Sequence, residues 1–192
     1  SSAASDVYKR QVSDYIDDKL IISFIAGMSL KKLEKLLSSK NIIRAMPSLG
    51  ISNGLSPIAV CSNHGVEISS GEKILNKLGR CMEIEESKFD AFTSIFGAGP
   101  AYISYLAKLL SEIASNNGFE NSESLIGDVL GGTCEIHNSK NKPSFEKIKS
   151  MVASKGGVTE AALKKIESSG MDEVWKAAIE DAIEKSKKLG GN

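Results

Sequence analysis

The sequence predicts an α/β segment followed by an all-helical segment, with the change near residue 85. Up to Ile84, short apolar runs alternate with amphipathic stretches at the spacing of βαβ units, which indicates a parallel sheet. After Glu85 the strand patterns stop and helical periodicity continues. We therefore expect one domain at residues 12–85 and a second domain at residues 86–192.

Four short apolar runs predict the strands of the first segment. Leu20–Ile25 is apolar at every position except Ser23, as expected of a strand buried on both faces. Ser29 is suited to cap the helix that follows, and a second helix should turn Ile74, Leu75 and Leu78 inward. The strands are predicted at 20–25, 41–45, 58–61 and 81–84, and the helices at 30–37 and 72–78.

The second segment is predicted as a bundle of helices. Gly97-Ala98-Gly99-Pro100 is interpreted as a junction between two helical stretches, because the third glycine of a dinucleotide loop would fall at Tyr102. The helix after it, ended by Gly118, is apolar on more than one face, which favours contact with a second subunit. Ser122 is expected to cap the next helix, and further helices are predicted at 145–153, 160–168 and 172–189.

Composition excludes several classes of protein. Lys+Arg and Asp+Glu both number 24, so no basic surface for nucleic acid and no acidic tail is indicated. No apolar run approaches the ~20 residues that cross a bilayer. Cys61, Cys81 and Cys134 lack metal-binding spacing, so we expect reduced thiols in a cytoplasmic protein and no metal site.

The first residues are set aside from the fold. Ser1–Gln11 has no periodicity and is similar to the translated adaptor scars found on assembled transcripts, so we interpret residues 1–11 as a non-native tail. Few residues precede Leu20, and a βαβ unit needs roughly 30. We therefore expect a reading frame cut near Val12 and a chain that is a fragment.

The turn Ser154–Glu160 is the strongest candidate site. Gly156 and Gly157 let the backbone adopt positive φ, and Thr159 is placed to cap the helix that Glu160 begins. The free N–H groups of such a helix start can hold a carboxylate or a phosphate. The alternative is an ordinary glycine turn with a cap.

Two weaker candidates follow the first two strands. Ala26-Gly27 and Arg44–Ser48 follow strands at the edge of the sheet where enzymes of this class bind ligands. The alternative is that the small residue or the proline simply ends its strand. Glu85-Glu86, at the junction of the two segments, is a further candidate, with simple exposure of the acidic pair to solvent as the alternative. His64 and His137 have no partner at motif spacing and receive no catalytic role.

In this order, four segments resemble pyrroline-5-carboxylate reductase, the family that makes proline. They are IAGMSLKKLE at 25–34, IRAMPS at 43–48, GAGPAY at 97–102 and SKGGVTEAAL at 154–163. The resemblance runs from about Lys19 to Leu189. It implies a partial Rossmann domain, of which only the C-terminal part of the parallel sheet is present, followed by an all-α dimerisation domain.

The resemblance also implies an activity and its residues. Hydride would pass from NADPH or NADH to the C=N carbon of 1-pyrroline-5-carboxylate, a small cyclic imine, in a homodimer or higher homo-oligomer. Thr159 is the expected catalytic residue, with its hydroxyl near the ring nitrogen. The substrate-binding set is Glu86, Gly156, Gly157, Val158 and Thr159, and the cofactor-binding set is Ala26, Gly27, Met46 and Pro47.

This sequence departs from the family pattern at several positions. Ser48–Gly50 stands in place of Asn-Thr-Pro, Phe96 and Ala98 replace serines, Lys155 replaces a proline and Met151 replaces an asparagine. No GxGxxG loop is present. Two alternatives therefore remain: a catalytically inactive, reductase-like dimerisation or regulatory module, and a reductase of another cyclic imine.

Overall fold

The computed structural model describes residues 15–16 and 19–190, so the predicted non-native tail lies outside the described residues. The described chain divides into two compact units. The first contains the residues up to Pro100 together with those from Ile179 onward, and the second is Ala101–Ala178. The boundary predicted between residues 85 and 86 stays a prediction.

Within the described residues, the first unit is built on a four-stranded sheet in the order β1 (Ile21–Ser23), β2 (Ile42–Met46), β3 (Ser56–Ser62) and β4 (Gly79–Glu83). β1 pairs with β2 in parallel, and β3 pairs with β4 in parallel. The four strands lie at the four predicted apolar runs. The first run is buried less than predicted, because β1 ends at Ser23 and Phe24 and Ile25 are 46% and 41% exposed.

The sheet is mixed, because β2 and β3 run antiparallel. This pair corrects the expectation of a wholly parallel sheet. The connection of residues 47–55 is shorter than the ~12 residues of a parallel crossover, and it is folded into a 3-10 turn at Leu49–Asn53. Consequently the end of β2 and the start of β3 share one edge, where the Ser48 N–H donates to Ser56 Oγ at 2.7 Å.

Two helices and two apolar clusters cover the sheet. The first helix, α1 (Leu30–Leu37), has the predicted N-cap, since Ser29 Oγ accepts from the Lys32 N–H at 3.3 Å. In the second, α2 (Ser69–Leu75), Leu75 is fully buried but Ile74 is 59% exposed. The inward prediction for Ile74 is wrong, because consecutive helical residues point about 100° apart and Leu75 takes the inner position.

The segment after β4 changes helical type twice before the long helices begin. A 3-10 turn at Glu86–Lys88 leads into the short helix α3 (Phe89–Phe92) and a π turn at Thr93–Gly97. Phe89 and Phe92 are buried in the cluster that also contains Leu33 and Met46. The predicted junction in GAGP is confirmed, since the next helix, α4, begins at Gly99.

Helices joined by short turns make up the remaining described residues, up to residue 190. They are α4 (Gly99–Asn116), α5 (Ser122–Asn138), α6 (Phe145–Val152), α7 (Val158–Ser168) and α8 (Met171–Gly190). The predicted Ser122 cap is wrong: Asn121 is the N-cap, and the Ser122 hydroxyl donates instead to the Phe119 carbonyl at 2.7 Å. Within residues 15–16 and 19–190, no helix is long and apolar enough to cross a bilayer.

Candidate functional site

The predicted cofactor residues follow two neighbouring strands at the same edge of the sheet. β1 and β2 are parallel with Ser23 beside Arg44, so Ala26-Gly27 and Met46-Pro47 leave the sheet on the same side. Gly27 has φ +69°, a left-handed conformation that glycine adopts without strain. Ala26 is exposed and Met46 is buried. The edge therefore offers a small, open turn beside a buried thioether.

Glu86 joins this edge to α1. Its Oε1 accepts from the Leu30 N–H at 2.6 Å and from Arg44 Nη1 at 3.1 Å. The carboxylate thus satisfies a free N–H of the first turn of α1, where the helix dipole favours a negative charge. Arg44 is only 4% exposed, and its guanidinium carbon lies 4.3 Å from the centre of the Phe89 ring.

The sequence contained one signal for this ion pair. Arg44 is the only charged residue of the otherwise apolar β2, and a charged side chain in a buried strand requires a partner. Nothing in the sequence indicated that the partner would be Glu86, 42 residues away. The same pair also opens onto a cavity of about 540 Å³, whose lining includes Gly27, Ser29, Asp90 and Lys187.

The thiol of Cys61, next to the Arg44–Glu86 pair, is not a nucleophile. Cys61 lies beside Arg44 in the β2–β3 ladder and is 7% exposed. Burial, reinforced by the negative charge of Glu86, raises the pKa of Cys61 to about 12. The thiol is therefore protonated at neutral pH, when only a thiolate would react.

The glycine turn lies in the second unit and is arranged differently from the prediction. Gly156 has φ +76°, whereas Gly157 is extended and is itself the N-cap of α7. The prediction that Thr159 caps this helix is wrong, because helical geometry already begins at Val158. Thr159 lies half-buried in the first turn.

A carboxylate of the same chain already occupies part of this turn. The Gly156 N–H donates to Glu160 Oε2 at 2.8 Å, and Glu160 Oε1 pairs with Lys164 Nζ at 3.2 Å. The Gly157 N–H donates to the Ser154 carbonyl at 3.0 Å. In an α-helix the N–H groups of the next three residues, 158–160, have no acceptor within the helix, so they are the donors that a ligand could use.

The comparisons with known proteins concern both units. The family model for pyrroline-5-carboxylate reductase dimerisation matches residues 86–189, more than half of the chain. The chain belongs to the pyrroline-5-carboxylate reductase family. This confirms the family resemblance inferred from the sequence. The departures at Ser48, Phe96 and Lys155 are therefore variations within a pyrroline-5-carboxylate reductase framework.

Individual relatives agree with the family. The pyrroline-5-carboxylate reductases of Aquifex aeolicus and of Synechocystis are each 30% identical over 177 residues, covering 88% and 89% of this chain. The chain spans 66% of the length of each of these relatives. The matched region therefore corresponds to only part of each reductase.

Solved structures show the same fold. The pyrroline carboxylate reductase of Plasmodium falciparum, solved with NADP bound, has a TM-score of 0.83 and 29% identity, covering 97% of this chain and 78% of that one. The pyrroline-5-carboxylate reductase of Coxiella burnetii has a TM-score of 0.85 and 25% identity, covering 96% and 72%. An α/β unit of Rossmann type followed by a helical dimerisation domain is therefore the architecture of this chain.

Proposed function

We propose that this protein reduces 1-pyrroline-5-carboxylate to L-proline with NADPH or NADH. The observation that carries the proposal is the sheet edge, where the family segments containing Ala26-Gly27 and Met46-Pro47 come together. The family match beginning at residue 86 supports it, and also supports a domain boundary at that residue.

The sheet edge fits the nicotinamide end of such a cofactor. Ala26 and Gly27 present little side chain, so a flat ring can approach the backbone, and Met46-Pro47 forms the neighbouring wall. When bound, the cofactor supplies the hydride. Its phosphates need a glycine-rich turn between a strand and a helix, and the sequence contains no GxGxxG.

The turn before α7 is proposed to hold the substrate carboxylate. The N–H groups of residues 158–160 carry the positive end of the helix dipole and need an acceptor. The Thr159 hydroxyl would then bind the ring nitrogen. With the imine bound in its N-protonated form, hydride from the cofactor would add to the C=N carbon, and the π electrons of that bond would become the lone pair of the neutral amine. Thr159 would orient the ring for this addition. Glu86 is proposed to bind the substrate through Oε2, because its Oε1 already accepts from the Leu30 N–H and from Arg44.

A homodimer is the expected assembly. Apolar side chains of α4 remain open in the isolated chain: Ile103 is 55% exposed, Leu109 40% and Ile113 50%. An apolar surface of this kind is normally covered by another protein surface. The dimerisation domain of the family supports a second copy of the same chain as that partner.

Thr159 provides the direct test of the reductase. We would express the complete reading frame of the source transcript and follow loss of nicotinamide absorbance with pyrroline-5-carboxylate. Thr159→Ala should lower kcat by about 100-fold, the range expected when a substrate is misplaced by about an ångström. Thr159→Ser keeps the hydroxyl and should retain most of the rate. Wild-type turnover in both variants would refute the site.

An inactive dimerising module is the second candidate, favoured by Ser48 and Phe96. Ser48 is committed to the β2–β3 turn through Ser56, and the Phe96 ring lies tilted against the Phe92 ring with ring centres 4.8 Å apart. A complete reading frame that forms dimers but oxidises neither NADPH nor NADH would support this candidate. Sequencing upstream of Val12 for a strand–GxGxxG–helix unit separates the two candidates before any assay.

A cytoplasmic location is proposed on the cysteines. Cys61, Cys81 and Cys134 are free, and unpaired thiols are typical of reducing compartments. Fractionation of the source cells with an antibody to this chain would test the location.

A further inference from the structure

The last turn of α8 packs backbone against backbone on the turn between β1 and α1. A Cβ atom added to Gly190 would lie 2.8 Å from the Gly27 carbonyl oxygen, and one added to Gly27 would lie 3.2 Å from the Gly190 nitrogen. Gly190 is buried, at the end of a helix that is otherwise largely exposed. No side chain other than hydrogen fits either position without a shift of the backbone.

The usual reason for a glycine at a helix end does not apply here. Such glycines adopt a left-handed conformation, as Gly118 and Gly170 do with φ of +85° and +76°. Gly190 has no positive φ. Alanine would be the better helix former at this position, so the close approach to Gly27 is the physical reason for glycine.

A second contact fixes the same end of α8. The Ser186 hydroxyl donates to Asp90 Oδ1 at 2.6 Å, a bond between residues 96 positions apart. Lys187, on the same turn, lines the cavity that also borders Gly27 and Glu86. The end of the helix is therefore held at both α3 and the β1–α1 turn.

We propose that Gly190 is a positioning residue for the cofactor turn. By letting the last turn of α8 rest on the Gly27 carbonyl, it fixes the backbone of Ala26-Gly27 in the shape that receives the nicotinamide end. This inference rests on the proposed function, which assigns Ala26 and Gly27 to the cofactor. Gly190 itself touches neither cofactor nor substrate in this scheme.

Gly190→Ala tests the proposal with two independent readouts. In the complete reading frame, KM for NADPH should rise on the order of tenfold, because a shifted Ala26-Gly27 turn would bind the cofactor less tightly. In the present chain, amide hydrogen exchange at Gly27 should accelerate. Lys188→Ala is the control: it lies on the same turn with a side chain 74% exposed, and should change neither readout.

The outcomes separate the inference from the proposed function. If wild-type protein oxidises no NADPH, the proposed reductase fails, and exchange at Gly27 alone decides whether Gly190 positions the turn. If Gly190→Ala matches wild type in both exchange and KM, the positioning role is refuted. Should Gly190→Ala not fold, Ser186→Ala removes the second contact without adding atoms: faster exchange at Gly27 would support the proposal and unchanged exchange would overturn it.

Discussion

Removal of the Glu86 carboxylate should destabilise the first unit by far more than removal of a surface charge. Glu86→Ala leaves Arg44, 4% exposed, without its ion-pair partner and leaves the Leu30 N–H without its acceptor. Removing one partner of a fully buried pair costs about 3–5 kcal/mol. The Glu86 side chain is 35% exposed, so solvent screening reduces this cost to about 2 kcal/mol. The lost helix cap adds about 1 kcal/mol.

Urea denaturation measures the combined loss of about 3 kcal/mol. With a slope near 2 kcal/mol/M, typical of small proteins, the unfolding midpoint of Glu86→Ala should fall by roughly 1.5 M. Glu86→Gln keeps an acceptor for the Leu30 N–H and should lose less. Glu85→Ala is the matched control, because its side chain is 74% exposed and its pairing with Lys88, at 3.8 Å, is also on the surface.

A double variant isolates the pair itself. Arg44→Met combined with Glu86→Ala removes both charges, so its cost should be smaller than the sum of the two single costs. The reasoning is refuted if Glu86→Ala unfolds at the same urea concentration as Glu85→Ala. Additive single and double costs would show that Arg44 and Glu86 contribute independently.

The other predictions concern assembly and thiol chemistry. Leu109→Lys places a charge on the open apolar surface of α4 and should convert the proposed homodimer to monomer in light scattering. Leu49→Lys, at a leucine 78% exposed in the first unit, should leave the proposed dimer intact. Iodoacetamide at pH 8 should label exposed Cys134 well before Cys61, as read by mass spectrometry. Because the pKa of Cys61 is about 12 against an ordinary 9.0, its stabilising contribution is complete below pH 9 and is lost between about pH 9 and 12, so Cys61→Ala should flatten the alkaline fall in stability.

Elements that depend on near neighbours in the chain were predicted well. The Ser29 cap, the four strands and the junction in GAGP rest on local periodicity and on residues a few positions apart. The positions of helix caps were predicted less well. Ser122 and Thr159 have suitable side chains for capping, yet Asn121 and Gly157 are the N-caps, because the backbone conformation one or two residues earlier decides where each helix begins.

The antiparallel direction of β3 relative to β2 was not predicted, for a different reason. The apolar pattern of a strand buried on both faces is the same whether its neighbour is parallel or antiparallel. Only the short folded connection at Leu49–Asn53 reverses β3 against β2. Residues 26–27 and 46–47 nevertheless reach a common edge, since β1 and β2 do run in parallel.

By itself the sequence determined the two-part α/β and helical plan, the family, and the turns that carry the candidate site residues. Those features follow from periodicity, turn chemistry and short motifs, all of which act over a few residues. Only the tertiary structure decided that Glu86 binds Arg44 and the start of α1, and that Gly190 rests on Gly27. Such partners are chosen by packing between distant parts of the chain, where burial of a charge or contact of two backbones leaves no local pattern to read.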